Sequence, residues 1–222
     1  MNILAMDSSG PRGAVALLVD DRPLASVTFA ASAGQVADLP REMTGIMARA
    51  GWQPNTVDLL VVPAGPGSFT GLRIALGLAK GWHVARGTPV VAVPTLMLLA
   101  WMGAPPGAAV TVLADGRRGQ LFTQAFFQGD PPQSRGEAAL LERARWEVLG
   151  RNLPEGEMLV CDAALPHPGA GCSGARVALP DAVALGRLGR HLYLSGASQD
   201  GAASEPLYIR PADALPGRSG PG

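Results

Sequence analysis

Only two of the 222 residues are cysteine and three are histidine. Cys161 and Cys172 stand eleven apart, with no CxxC pair and no histidine at ligand spacing. That spacing indicates neither a zinc site nor a disulfide framework and reads as two ordinary semi-buried thiols. No uninterrupted apolar run reaches the ~18 residues that a membrane span needs. The opening MNILAMDSSG lacks the basic segment and long apolar stretch of a secretory signal, so the sequence predicts a cytoplasmic location. Charge is scarce as well, at 16% of residues, against ~25% in an average soluble chain. Eighteen basic residues balance 18 acidic ones, which removes the footprint of a protein that grips nucleic acid by itself. So sparse a charged surface suggests that another subunit covers part of it.

What the chain does have is apolar material, 47% of it, and 29 glycines with 20 prolines spread between apolar runs, where they read as turns. At ~150 residues per domain the length gives roughly one and a half domains. Asn2–Met6 is an apolar strand ending in Asp7-Ser8-Ser9-Gly10, followed by strands at Ala14–Val19 and Leu24–Ala30 across an Asp20-Asp21 turn. The spacing of Val36, Leu39, Met43, Ile46, Met47 and Ala50 predicts a helix over Gln35–Ala50, with Gly51 as its C-terminal cap. Val57–Pro63 is almost continuously apolar, as a strand buried on both faces would be. A glycine-rich loop then opens a helix over Thr70–Arg86, and strand Thr88–Val93 leads to a short helix from Thr95 to Met102.

Beyond the linker Gly103–Gly107 the pattern partly repeats. Strand Ala109–Ala114 ends in Asp115, and the turn Gly116-Arg117-Arg118-Gly119 leads into Leu121–Phe127. Short strands at Met158–Cys161 and Val177–Leu179 and a helix over Asp181–Ser195 follow. Two units that each open with a strand, an aspartate and an antiparallel partner predict a duplicated α/β fold, its second copy degraded. That is the layout of the actin, sugar-kinase and Hsp70 (ASKHA) superfamily, with two ribonuclease-H-like domains at residues 1–103 and 107–195. Residues 196–222 are expected to return to the first domain. In enzymes of that superfamily the two strand-turn aspartates bracket a nucleotide phosphate. Asp7, Ser8, Asp115 and Arg118 are therefore candidate nucleotide or anion contacts. The aspartates read equally as carboxylates that cap their own turns, and Arg117-Arg118 as a plain hairpin.

The most specific segment is Gly65-Pro66-Gly67-Ser68-Phe69-Thr70-Gly71-Leu72-Arg73. Its glycine spacing fits neither a Walker A loop nor a dinucleotide fingerprint. A strand, glycine loop and helix in that order leave backbone N–H groups at the positive helix end, a natural anion or carboxylate site. Alternatively the glycines permit a tight turn, and Ser68 or Thr70 caps the helix.

With its flanks, LLVVPAGPGSFTGLRIALGLAKGWHVARGTPVVAVPTL resembles the bacterial TsaB family, also called YeaZ. ILAMDSSGPRGAVALL, VLADGRRGQLF and EPLYIRPADA agree, so the resemblance runs from residue 3 to about 214, weakest between 129 and 180. The related catalytic subunit, TsaD, has a similar glycine-proline-glycine loop without the Ser-Phe-Thr-Gly continuation, and a metal-binding histidine pair. Here His83, His167 and His191 have no HxxxH spacing. One departure is Gly34-Gln35, where family members commonly carry histidine-serine.

The resemblance implies a scaffold rather than a catalyst. TsaB binds TsaD through the first two long helices, and the complex recruits the small ATPase TsaE. TsaD then transfers threonylcarbamoyl to the adenosine beside the tRNA anticodon. The chain would have no cofactor of its own, would meet ATP or ADP at most within the complex, and would reach tRNA only through it. Alone, it would self-associate through the same helices. The expected interface is Val36, Leu39, Met43 and Met47 on the first helix, with Leu72, Arg73, Leu76, Gly77, Lys80 and Gly81 on the second. Leu72, Ile74, Leu76, Leu78 and Trp82 surround much of that second helix, more apolar surface than one sheet can cover. Gly77 and Gly81, four apart, would admit a second helix backbone, and each costs ~1 kcal/mol of helix stability relative to alanine. Lys80, the chain's only lysine beside 17 arginines, would meet a partner carboxylate or a nucleotide phosphate, or stay solvated at the helix edge. Two rivals fit less well. A sugar- or acetate-kinase-type phosphotransferase needs an acidic Mg²⁺ site and an adenosine loop, and the region after Gly129 offers only scattered carboxylates. A peptidase needs a nucleophile–base pair, and no recognisable motif supplies one.

Overall fold

The computed structural model describes residues 1–30, 35–163, 165, 175–178 and 181–196, with backbone only for 35–37. Strands β1 (Asn2–Asp7), β2 (Arg12–Val19), β3 (Arg22–Ala30), β4 (Leu59–Gly65) and β5 (Val90–Pro94) form the first sheet, in the order β3-β2-β1-β4-β5. Its first three strands are antiparallel, and β4 and β5 run parallel to β1. The second sheet has β6 (Ala109–Arg117), β7 (Gln120–Phe127), β8 (Gln133–Ser134), β9 (Ala139–Glu142), β10 (Met158–Asp162) and β11 (Arg176–Ala178). It repeats the plan: the β6-β7 hairpin is antiparallel, β10 and β11 lie parallel beside β6, and β8 and β9 pair with the far side of β7.

Among the described residues, five α-helices cover these sheets: α1 (Gln35–Arg49), α2 (Phe69–Arg86), α3 (Thr95–Gly103), α4 (Arg143–Leu149) and α5 (Ala182–Leu194). One face of the first sheet, with Leu4, Met6, Val15, Leu17, Leu60 and Val62, packs on α1 and α2. Its other face buries Ile3, Ala5, Leu18, Leu59 and Val61 against Leu185, Leu188 and Leu192 of α5. Helix α3 lies between the sheets: Leu98 joins that first-sheet face, while Leu96, Leu99 and Ala100 cover Val110, Val112 and Val160 of the second. On that sheet's outer side Trp146 of α4 packs with Leu113, Leu121 and Leu159.

Each half thus lends a helix to the other. The sequence placed α5 with the second domain, but its small face fits the first sheet. A Cβ at Gly186 would meet the Leu18 side chain at 2.6 Å, and one at Gly189 would meet Val61 at 2.3 Å. Only glycine lets the helix lie this close. Asp21, in the β2–β3 turn, accepts from Arg190 at 3.0 Å, and its backbone carbonyl accepts from Arg187 at 2.9 Å, which anchors the far end of α5.

Candidate functional site

The glycine-rich loop forms a clasp with the first strand turn. It leaves β4 at Gly65, whose φ of 105° favours glycine, and reaches Ser68, the N-cap of α2. Ser68 N–H donates to the Ser9 carbonyl at 2.6 Å, and Ser8 Oγ–H donates to the Gly71 carbonyl at 2.8 Å. The Ser68 hydroxyl accepts from Gly71 N–H at 3.3 Å. A Cβ on Gly67 would lie 2.9 Å from the Ser9 carbonyl, and one on Gly71 would sit 1.6 Å from the Ser8 carbonyl oxygen. The second and third motif glycines are therefore set by close backbone approach.

Asp7 completes the clasp. Its Oδ1 accepts from Ser9 N–H and Ser9 Oγ–H, both at 2.7 Å. Burial pushes its pKa up, and the two Ser9 hydrogen bonds pull it part of the way back. Asp7 and Ser8 are both buried and their hydrogen bonds are internal to the clasp, the arrangement that the turn-capping alternative expects. Asp115 plays the matching part in the second half, where its Oδ1 accepts from Arg117 N–H at 2.9 Å. That turn holds Arg117 and Arg118 exposed at φ of 60° and 51°. The second aspartate also caps its own turn.

The clasp fixes where α2 starts, and Gly87 at φ 71° ends it, its N–H donating to the His83 carbonyl at 2.7 Å. Trp82 Nε1–H donates to Thr88 Oγ1 at 3.2 Å, tying the last turns to the strand beyond. Leu72, Ala75, Leu76 and Ala79 are buried beneath the helix, while Ile74, Leu78 and Trp82 pack half-buried at its flank. On the outer side Arg73, Gly77, Lys80 and Val84 recur at spacings of four, three and four, which is one strip of an α-helix.

Here the expected interface divides. Leu39, Met43, Met47, Leu72 and Leu76 lie in the chain's own core, because the first sheet presents enough apolar surface to absorb both helix faces. They offer a partner nothing. Arg73, Gly77 and Gly81 are exposed and Lys80 half-exposed, and a Cβ at either glycine would meet nothing within 4 Å. The side chain of Val36 and residues Gly34, His167, Cys172 and 197–222 lie outside the described residues. The sequence reading passed over Val84, 85% exposed, and Phe69, 47% exposed with the Arg73 guanidinium 3.8 Å above its ring. The i, i+4 step from Lys80 to Val84 was the available signal.

Two sheets with the same strand plan, each opening on an aspartate-capped turn, define an ASKHA-type α/β protein. Solved YeaZ from Pseudomonas aeruginosa superposes with a TM-score of 0.74 at 24% identity, over 93% of this chain and 99% of that one. A family model described as TsaD, tRNA N6-adenosine threonylcarbamoyltransferase, matches residues 30–132. The chain is 33% identical over 124 residues to the tRNA threonylcarbamoyladenosine biosynthesis protein TsaB of Bacillus subtilis, 55% of this chain and 54% of the relative. For its Escherichia coli namesake the figures are 32% over 124 residues, 55% and 53%. The chain spans about half the length of these curated relatives. Over that half it is similar in sequence to the TsaB proteins, and along nearly its whole length it shares the fold of YeaZ.

Proposed function

We propose that this chain is a non-catalytic subunit in threonylcarbamoyladenosine synthesis on tRNA, one that docks a TsaD-type catalytic subunit through the outer strip of α2. The names carried by its relatives support the pathway. One observation carries the docking surface: two glycines four residues apart face open space on an 18-residue helix whose opposite face is already packed. Interior helix glycines cost ~1 kcal/mol each relative to alanine, and none of the described residues packs on these two. A partner helix backbone would. The clasp supports a structural rather than a chemical role for the motif loop, since Ser9 satisfies Asp7, and Ser8, Ser68 and Gly71 satisfy one another. A TsaE-type ATPase joins this assembly, any ATP or ADP is held within it, and tRNA is met through it.

The test mixes the purified chain with a purified TsaD-type subunit from the same organism. A stable heterodimer should form. Threonylcarbamoyl transfer to tRNA should require the catalytic subunit and be raised by this chain. Transfer by this chain alone, or no effect of adding it, would overturn the proposal.

A further inference from the structure

The last turns of α5 lie where the two halves meet. The helix packs on the first sheet, and near its end the Trp101 ring of α3 stands 6.2 Å from the His191 ring. Gln128, just past β7, donates through Nε2 to the Trp101 carbonyl at 3.1 Å. His191 has a carboxylate at each ring nitrogen, one from each half. Asp130 of the β7–β8 loop lies 2.8 Å from Nδ1, a full hydrogen bond. Asp21 of the β2–β3 turn has its Oδ1 3.6 Å from Nε2, which suits an ion pair but is too long for a hydrogen bond.

The chemistry of the ring makes these two contacts unequal. A carboxylate only accepts, so Nδ1 carries a proton. A neutral imidazole has no second one, and its Nε2 then leaves a lone pair facing Asp21. Protonation of Nε2 turns that contact into attraction and puts charge behind the Asp130 bond. The other charges around the ring do not substitute for it. Asp21 Oδ2 accepts from Arg190 at 3.0 Å, Arg190 Nη2 lies 3.5 Å from Asp20 Oδ1, and Asp20 also takes the Met1 amine at 3.1 Å. Arg187 donates to the Asp21 carbonyl at 2.9 Å. All of these tie α5 and the first half together. Among the described residues, only His191 pairs with Asp130.

We infer that His191 is a proton-dependent tie between the two halves: the imidazolium clamps the β7–β8 loop to the β2–β3 turn, and the neutral ring relaxes that clamp. The Asp21 and Asp130 side chains are 50% and 60% exposed and that of His191 29%, so solvent screens the tie. A pair of this kind shifts an equilibrium by up to about fivefold. The fold itself rests on the apolar packing of α3 and α5. What the tie governs is how often the β7–β8 loop lifts away from α5.

The experiment is hydrogen exchange of the full chain, read by mass spectrometry on peptides spanning 128–136. Wild type, His191→Gln and Asp130→Asn are compared at about pH 5 and pH 8, the limits of the range over which histidine changes charge. Rates are normalised to those of the unfolded chain at each pH. In the wild type, protection of this segment should be up to about fivefold higher at the lower pH. His191→Gln keeps every other titratable group, so most of that difference should vanish with the imidazole. Asp130→Asn leaves Nδ1 an acceptor but removes its charge, and should reduce the difference. Equal protection of the wild-type segment at both pH values overturns the inference. A pH difference that survives in His191→Gln, or stays undiminished in Asp130→Asn, also overturns it. So does a His191→Gln chain loosened equally at both pH values, which would make His191 a plain hydrogen-bond donor.

Discussion

Replacing Gly77 with leucine separates a docking glycine from a core glycine. A Cβ at Gly77 has nothing within 4 Å, so the new side chain projects into solvent from a helix that has already packed its other side. Gly→Leu in a helix interior gains about 0.5–1 kcal/mol of propensity. At ~2–4 °C per kcal/mol for a chain of this size, the melting temperature should hold or rise by about 2 °C. Against a partner helix the same side chain overpacks a close contact, costing about 1–3 kcal/mol, a roughly 5- to 150-fold loss of affinity. Gly189→Ala is the control. Its single methyl would sit 2.3 Å from Val61 Cγ1, so it should lower the melting temperature by about 2–10 °C and leave the surface of α2 untouched. Differential scanning fluorimetry and calorimetric titration with the TsaD-type subunit report the two quantities separately. If Gly77→Leu melts well below the wild type, or binds the partner as tightly, the outward reading of α2 is refuted.

Three further outcomes follow from the turns. Gly71→Ala would push a Cβ to 1.6 Å from the Ser8 carbonyl oxygen, a backbone atom that cannot swing aside; it should destabilise by about 3 kcal/mol, seen as a lower midpoint in urea. Asp7 has a raised folded pKa, so its contribution is fully present below the ordinary ~3.9 and is lost as pH rises through the folded value. Asp7→Asn keeps an Oδ1 acceptor for Ser9, and its melting temperature relative to wild type should improve from pH 4 to pH 7; a flat or inverted difference would count against a buried, ionised Asp7. Asp20 shows the opposite sign: a hydrogen bond from the Met1 amino group, that amine's charge, and Arg190 lower its pKa. Its contribution is present above ~3.9 and lost as pH falls, so Asp20→Asn should reduce the steepness of acid unfolding monitored by circular dichroism.

Much of this was legible in the residues, and the part that was not has a common cause. Apolar runs bounded by polar turns placed β1, β2 and β7 within a residue or two, and α2 begins one residue before its expected start. Gly51, at φ 68°, stands where the helix-ending pattern put it. Periodicity showed that Leu39, Met43, Met47, Leu72 and Leu76 share apolar faces, but a face has no address. A partner and the chain's own sheet satisfy the same pattern, and here the sheet took them. The destination of α5 was hidden for the same reason. Gly186 and Gly189 looked like Gly77 and Gly81 in sequence, and only the distance to Val61 or to empty space tells core glycines from outward ones. The aspartates were found by position, and the hydrogen bonds from Ser9 and Arg117 decided what they do.

The exchange of α3 and α5 also sets a schedule for synthesis. When the first sheet has emerged from the ribosome, its inner face of Ile3, Ala5, Leu18, Leu59 and Val61 lacks most of its cover, because beside Leu98 of α3 that cover is α5, encoded at Ala182–Leu194. At ~5–20 residues per second the interval from α3 to α5 lasts on the order of ten seconds. Through that interval a sheet-sized apolar surface stands open, a natural client for a holdase chaperone. Cutting the chain at the Gly103–Gly107 linker would make the interval permanent. Each fragment would then lack the helix that closes its core, and soluble protein should return only when the two are expressed together.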